Sequence, residues 1–215
     1  MKLRSLLFNV HRWLGVGMCV LFALWFASGI IMMYVEYPEL TEQERIEYLP
    51  SLDAASVMLT PTEAASAIRT GNLYSRVSLT TILGRPAYML QAESGQTFTV
   101  FADTGELLQG LSPELAREAV AKSGFASGSV APSYDERIQL DQWTVSAGLD
   151  SYRPLHRIHA NDAAKTILYV SDKTGQIVRD THRTERFWNW LGSTIHWIYP
   201  LQLRKNASLW NDVIV

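Results

Sequence analysis

The chain has 215 residues, a formal net charge of −2, 47% hydrophobic residues and 19% charged ones. So even a balance lacks the basic surplus of a nucleic-acid binder, and a charged fraction below the usual quarter suggests that part of the chain is not meant for water. The single cysteine, Cys19, excludes an intramolecular disulfide framework and any CxxC metal or redox motif.

Residues 13–35 form an uncharged run of 23 positions. As a helix it spans about 34 Å, enough to cross a hydrocarbon core of roughly 30 Å. Lys2 and Arg4 resemble the basic start of a signal peptide. The run, however, exceeds the roughly 7 to 15 residues of a signal core and offers no small-x-small cleavage site. The expectation is therefore an uncleaved transmembrane helix over 8–35, following a cytoplasmic tip. Lys2, Arg4 and Arg12 precede the run, whereas Glu36, Glu39, Glu42, Glu44 and Glu47 follow it with only Arg45 among them. The positive-inside rule then puts the N-terminus in the cytoplasm and the following residues across the membrane. Residues 36–59 read as an acidic, solvated juxtamembrane linker.

A water-soluble pattern follows. Thr60-Pro61-Thr62-Glu63 has capping-box spacing with proline at the first helical position, predicting a helix that stops near Gly71. Strand candidates lie at 73–79, 87–92 and 97–101, separated by turn formers and closed by Asp103-Thr104-Gly105. The order then recurs: Ser112-Pro113-Glu114 opens a helix ending at Gly124, and strands are expected at 137–145, 153–159 and 166–171. Arg85-Pro86 matches Arg153-Pro154, and the proline-to-glycine interval is 19 residues in the first copy and 21 in the second. An α+β domain of two similar units, 60–111 and 112–183, is the expectation; a single domain with coincidental turns is the alternative.

In 184–215, the sequence RFWNWLGSTIHWIYP (186–200) mixes aromatics with Asn189, Ser193, Thr194 and His196, which suits the membrane–water interface. A short span over 187–203 is the less favoured reading. A new apolar run begins at Leu209-Trp210 and reaches Val215 unfinished, the pattern of a second transmembrane helix that continues in a longer protein.

HRWLG at 11–15, the two helix-then-strands units ending in DTG or KTG, RPLHRIH at 153–159 and TERFWNWLGSTIHWIYPLQLR at 184–204 together resemble the PepSY-associated transmembrane family of bacterial inner-membrane proteins. The resemblance covers essentially the whole chain, as the N-terminal half of a typical member. It implies an inner-membrane location, further helices and a periplasmic PepSY-type domain. Some members of that family serve iron uptake and reduce ferric siderophores with b-type haem held by membrane histidines; others have no assigned activity.

An intramembrane or juxtamembrane histidine needs a partner for its polar ring, so His11 and His196 are the candidate cofactor-binding residues. They fall near opposite membrane faces and cannot clamp one haem b, whose iron takes axial nitrogens only on its two faces; each would serve a separate haem. An interfacial histidine bonded to headgroups or backbone is the competing reading for His11. His156 and His159, three apart in a strand, point to opposite faces and read as edge or core residues. His182 reads as solvated, and Asp103 and Asp172 as turn residues rather than catalytic carboxylates.

No catalytic residue and no bare-metal site is expected. Two functions stand out: an electron-transfer component for iron acquisition, of the ferric-siderophore reductase type, and a membrane-tethered PepSY module that binds a periplasmic protein without redox chemistry. A structural or assembly subunit is the third. The expected partners are the lipid bilayer and a ferric siderophore or periplasmic protein.

Overall fold

The computed structural model describes residues 2–68, 73–126 and 129–214. The chain is α+β, with an N-terminal apolar helix and two antiparallel sheets. It divides into two compact units, one formed by 1–37 with 184–215 and the other by 38–183.

In the first unit, helix α1 (Lys2–Met32) is about 46 Å long. It begins earlier and ends sooner than the predicted 8–35. It is long and apolar enough to cross a membrane, and only 6% of its most apolar stretch is buried, unlike the core helix of a soluble domain. The aromatic tail forms four short helices: α5 (Arg183–Leu191), α6 (Ser193–His196), α7 (Leu201–Arg204) and α8 (Ala207–Ile214). A continuous span over 187–203 does not form. Ile198 sits in the left-handed region at φ 51°, which a β-branched residue adopts only under strain, and Pro200 follows it.

Two glycines permit α1 and the tail to meet. A Cβ on Gly192 would stand 3.0 Å from Ile31 Cγ2, and one on Gly29 would stand 3.1 Å from His196 Cε1. Beside them Asn189, 1% exposed, donates to the Glu36 carbonyl at 2.9 Å and accepts from Ser193 Oγ at 2.7 Å. The polar groups that broke the apolar pattern of the tail are thus paired internally.

The second unit begins with α2 (Glu42–Tyr48), in the segment expected to be linker. Thr41 and Glu44 close a capping box, and the Tyr48 carbonyl accepts from Gly124 N at 2.8 Å. Helix α3 (Pro61–Ala67) carries the predicted capping box; its expected stop at Gly71 lies outside the described residues. Strands β1 (Tyr74–Ile82), β2 (Arg85–Ala92) and β3 (Thr97–Phe101) form a meander, with Ala64, Ile68, Leu90 and Val100 buried between helix and sheet. Helix α4 (Pro113–Lys122) covers a second sheet, β4 (Ser133–Ile138), β5 (Leu155–His159), β6 (Ile167–Ser171) and β7 (Ile177–Thr181), over a core of Val120, Ile158, Leu168 and Val170.

The same backbone bonds close both sheets. Ala102 N donates to the Pro86 carbonyl and Gly105 N to that of Phe101; Asp172 N donates to Pro154 and Gly175 N to Ser171. Gly105 and Gly175 both adopt positive φ, 77° and 73°, as such turns require. The turn bonds Ala92 N to Gln96 O and Ala160 N to Thr166 O locate the two extra residues of the second copy in the β5–β6 turn.

The strand expected over 137–145 is displaced to β4, and residues 139–146 leave the sheet. Asp141 accepts from Trp143 N at 2.9 Å, Thr144 Oγ1 at 2.9 Å and Tyr169 OH at 2.6 Å, which curls this segment around its carboxylate. Arg153 enters the curl, donating to the carbonyls of Gln139, Thr144 and Ser146. Strand β7 was not anticipated, because its IVRDT sequence has little of an apolar alternation.

Candidate functional site

His196 ends α6 beside the C-terminal third of α1, within the first unit. Its ring stacks on Trp25, centroids 4.8 Å apart and planes at 11°, over the bare face of Gly29. Nδ1 lies 3.1 Å from the Trp25 carbonyl oxygen and 3.3 Å from Ser28 Oγ. A carbonyl only accepts, and the Ser28 hydroxyl already donates to that same carbonyl at 2.9 Å. Nδ1 must therefore carry the hydrogen, and the neutral ring presents Nε2 as a bare lone pair. Nε2 has no partner among the described residues. A backbone carbonyl holding one ring nitrogen so that the other can ligate is the outer-shell arrangement of metal-bound histidines.

His196 also lines an open groove of about 620 Å³, walled by Trp25, Trp197, Tyr199, Trp210 and Val213. The strained Ile198 contributes its carbonyl to Trp210 Nε1 at 3.0 Å, fixing that indole as a wall. Size and lining fall in the range of small-molecule and cofactor sites.

His11 is exposed on α1, fourteen positions before Trp25 and so about 21 Å from it along the helix axis. The two candidate histidines are not brought together. By helical rotation His11 and Trp25 lie within about 40° of one another, on one side of α1.

The other histidines belong to the second unit. His156 is 1% exposed, and its Nε2 donates to Asp172 Oδ1 at 3.1 Å while Tyr134 OH faces Nδ1 at 3.4 Å. Asp172 also accepts from Arg137 at 2.8 Å and from Leu111 N at 2.9 Å. Burial alone would raise the Asp172 carboxyl, but these donors outweigh it and hold the group below its ordinary value. The tyrosine–histidine–aspartate order has the form of a proton relay, yet its histidine is sealed in the core. It ties the lead into α4 to the β6 turn. Asp103 plays the matching part in the first sheet, paired with both Arg85 Nε and Nη2 at 2.8 Å. His159, on the opposite face of the strand from His156 as expected, meets Asp135 at 3.1 Å. His182, expected to be solvated, bonds Thr166 Oγ1 at 2.9 Å while its side chain remains half exposed.

A second groove, about 450 Å³, lies in this unit between Gln96, Thr97, Gln109, Gly110, Ser151 and Lys173. Sequence reasoning found His196 but missed the residues that select its tautomer. Their only signal was Ser28-Gly29, a small polar pair late in an otherwise bulky apolar run.

Comparison with protein-family models, curated proteins and solved structures finds no match to this chain.

Proposed function

We propose that the chain is the N-terminal part of a PepSY-associated inner-membrane protein, in which His196 would help hold a b-type haem serving electron transfer in iron acquisition. The observation that carries this reading is the bond from His196 Nδ1 to the Trp25 carbonyl, which leaves Nε2 free at an aromatic groove. A single histidine at an aromatic groove could help hold a prosthetic group such as haem. Bound there, haem supplies one-electron chemistry, its potential tuned by the axial ligand, hydrogen bonding and burial.

The chain's own residues would act as a holder. Trp25, Ser28 and Gly29 orient the imidazole, and the aromatic walls exclude water. His11, on the same side of α1 about 21 Å away, would serve a second haem near the cytoplasmic face, with partners beyond these residues. Helix α1 would span the inner membrane with its N-terminus in the cytoplasm, its apolar surface in lipid. The 38–183 unit would be periplasmic, a duplicated PepSY-type domain. Its support is the shared set of closing bonds at Pro86–Gly105 and Pro154–Gly175.

Haem content tests this. The detergent-purified chain is expected to carry haem in a pyridine haemochrome assay, and His196→Ala to lose it; equal haem in both would remove the proposal. A second reading, a tethered binding module, is favoured by the 450 Å³ groove of mixed polar and apolar lining, which would take a ferric siderophore or a segment of a periplasmic protein. Capture of a periplasmic partner by a haem-free chain would favour it.

A further inference from the structure

Arg204, at the end of α7, is a cation without a counter-charge. Its guanidinium carbon lies 4.6 Å from the Tyr199 ring centroid and 4.3 Å from that of Trp210. Its Nε is buried with no hydrogen-bond partner, and no carboxylate pairs with it among the described residues. Arg85 and Arg157, by contrast, are matched, the first with Asp103 and the second with Asp135 and Glu136. Stacking on two rings compensates part of the desolvation, but rings accept no directed hydrogen bond from an edge N–H.

Tyr199 and Trp210 are also walls of the His196 groove. Arg204 is not itself part of the groove's lining; its guanidinium stacks on the two rings that are. The groove therefore joins a bare nitrogen and flat aromatic walls, two of which carry an unneutralised guanidinium stacked against them. We infer that Arg204 is the anion anchor of this site and takes a carboxylate carried on the rim of the macrocycle bound by His196. The inference rests on the haem reading of the groove and adds to it the ligand's charge and attachment point. Guanidinium and carboxylate match as a fork, so the pair would fix the in-plane rotation of the ligand, which a single axial nitrogen leaves free.

The test is a cycle of two proteins and two ligands, read as dissociation constants from absorbance titration of the detergent-purified chain. The ligands are ferric protoporphyrin IX and its dimethyl ester, which lacks the carboxylate charge. The wild-type chain is expected to prefer the diacid, and Arg204→Gln to weaken diacid binding by about 10- to 100-fold, the range of a hydrogen-bonded charge, while leaving ester binding unchanged. Arg204→Lys should recover part of the preference. Equal weakening of both ligands by Arg204→Gln would mean a damaged wall and would overturn the inference, as would a wild-type chain indifferent to esterification or a role for Arg204 at a lipid phosphate. His196→Ala separates the two levels: if it binds the diacid as wild type does, the haem reading itself fails, whatever Arg204 does.

Discussion

The Nδ1 nitrogen of His196 lies 3.1 Å from the carbonyl oxygen of Trp25, 171 residues away in sequence, and that contact alone decides which nitrogen of the ring is free. A backbone carbonyl has two lone pairs, so Trp25 O, seven residues before the end of α1, can accept from outside the helix as well as within it. Ser28, four-fifths of a turn on, supplies its hydroxyl to the same oxygen.

The close approach that allows this contact depends on Gly29. A larger residue there meets His196 Cε1 at 3.1 Å and must push the ring away from Trp25. Gly29→Leu is expected to cost about 1–3 kcal/mol as overpacking, and to weaken ferric haem binding at the same time. Thermal melting and absorbance titration check the two effects; a variant with wild-type values in both would show that the ring is not held there.

Within the second unit, Asp172→Asn removes the charge that Arg137, His156 and Leu111 N all address. The expected loss is about 2–3 kcal/mol, a fall in melting temperature of roughly 5–10 °C. Calorimetry of the chain measures it directly.

Asp172 and Asp103 also set an acid limit. The Arg85 hydrogen bonds hold Asp103 below its ordinary value, and the donors around Asp172 overcome its burial to do the same. A carboxylate depressed in the folded state contributes stability that is present above its unfolded value, near pH 4, and is lost as pH falls through the folded value. Melting temperature should be flat with respect to these two groups from about pH 5 to 7 and decline below about pH 4. Asp103→Asn with Asp172→Asn should flatten that decline; an unchanged acid limb in the double variant would contradict the assignment.

Arg153 organises the segment 139–146 from within. Burial, then the neighbouring Arg179 charge, lowers its pKa, and it donates to three carbonyls and pairs with Asp150. Arg153→Met leaves those carbonyls without donors and is expected to destabilise the unit by about 3 kcal/mol, with faster amide exchange confined first to 139–152. Global unfolding without that local signature would count against the role.

The outline of the fold was legible where local chemistry decides it. A capping box with an N1 proline announced α3, an N-cap serine with an N1 proline announced α4, and the turn glycines at 105 and 175 marked both sheet ends. What escaped was set by distant partners. Residues 139–146 have strand-like composition, but Asp141 and Arg153 recruit their backbone groups. Helix α2 hid in an acidic run because its packing partner, Gly124, lies 76 residues after Tyr48. His196 was legible as a candidate from its aromatic surroundings. Its tautomer was not, since Trp25 O is a backbone atom that sequence does not distinguish. Nothing in the sequence singles out Arg204, whose lack of a carboxylate partner among the described residues becomes visible only in three dimensions.

The most direct test of the ligand role is chemical rescue. Ferric haem would be titrated into the detergent-purified chain and into His196→Gly, each with and without added imidazole, while the Soret band is followed. The expected result is an imidazole-ligated spectrum for the wild type, its loss in His196→Gly, and its return when free imidazole fills the vacated position. A His196→Gly chain with the wild-type spectrum in the absence of imidazole would contradict the assignment of His196 Nε2 as the axial ligand.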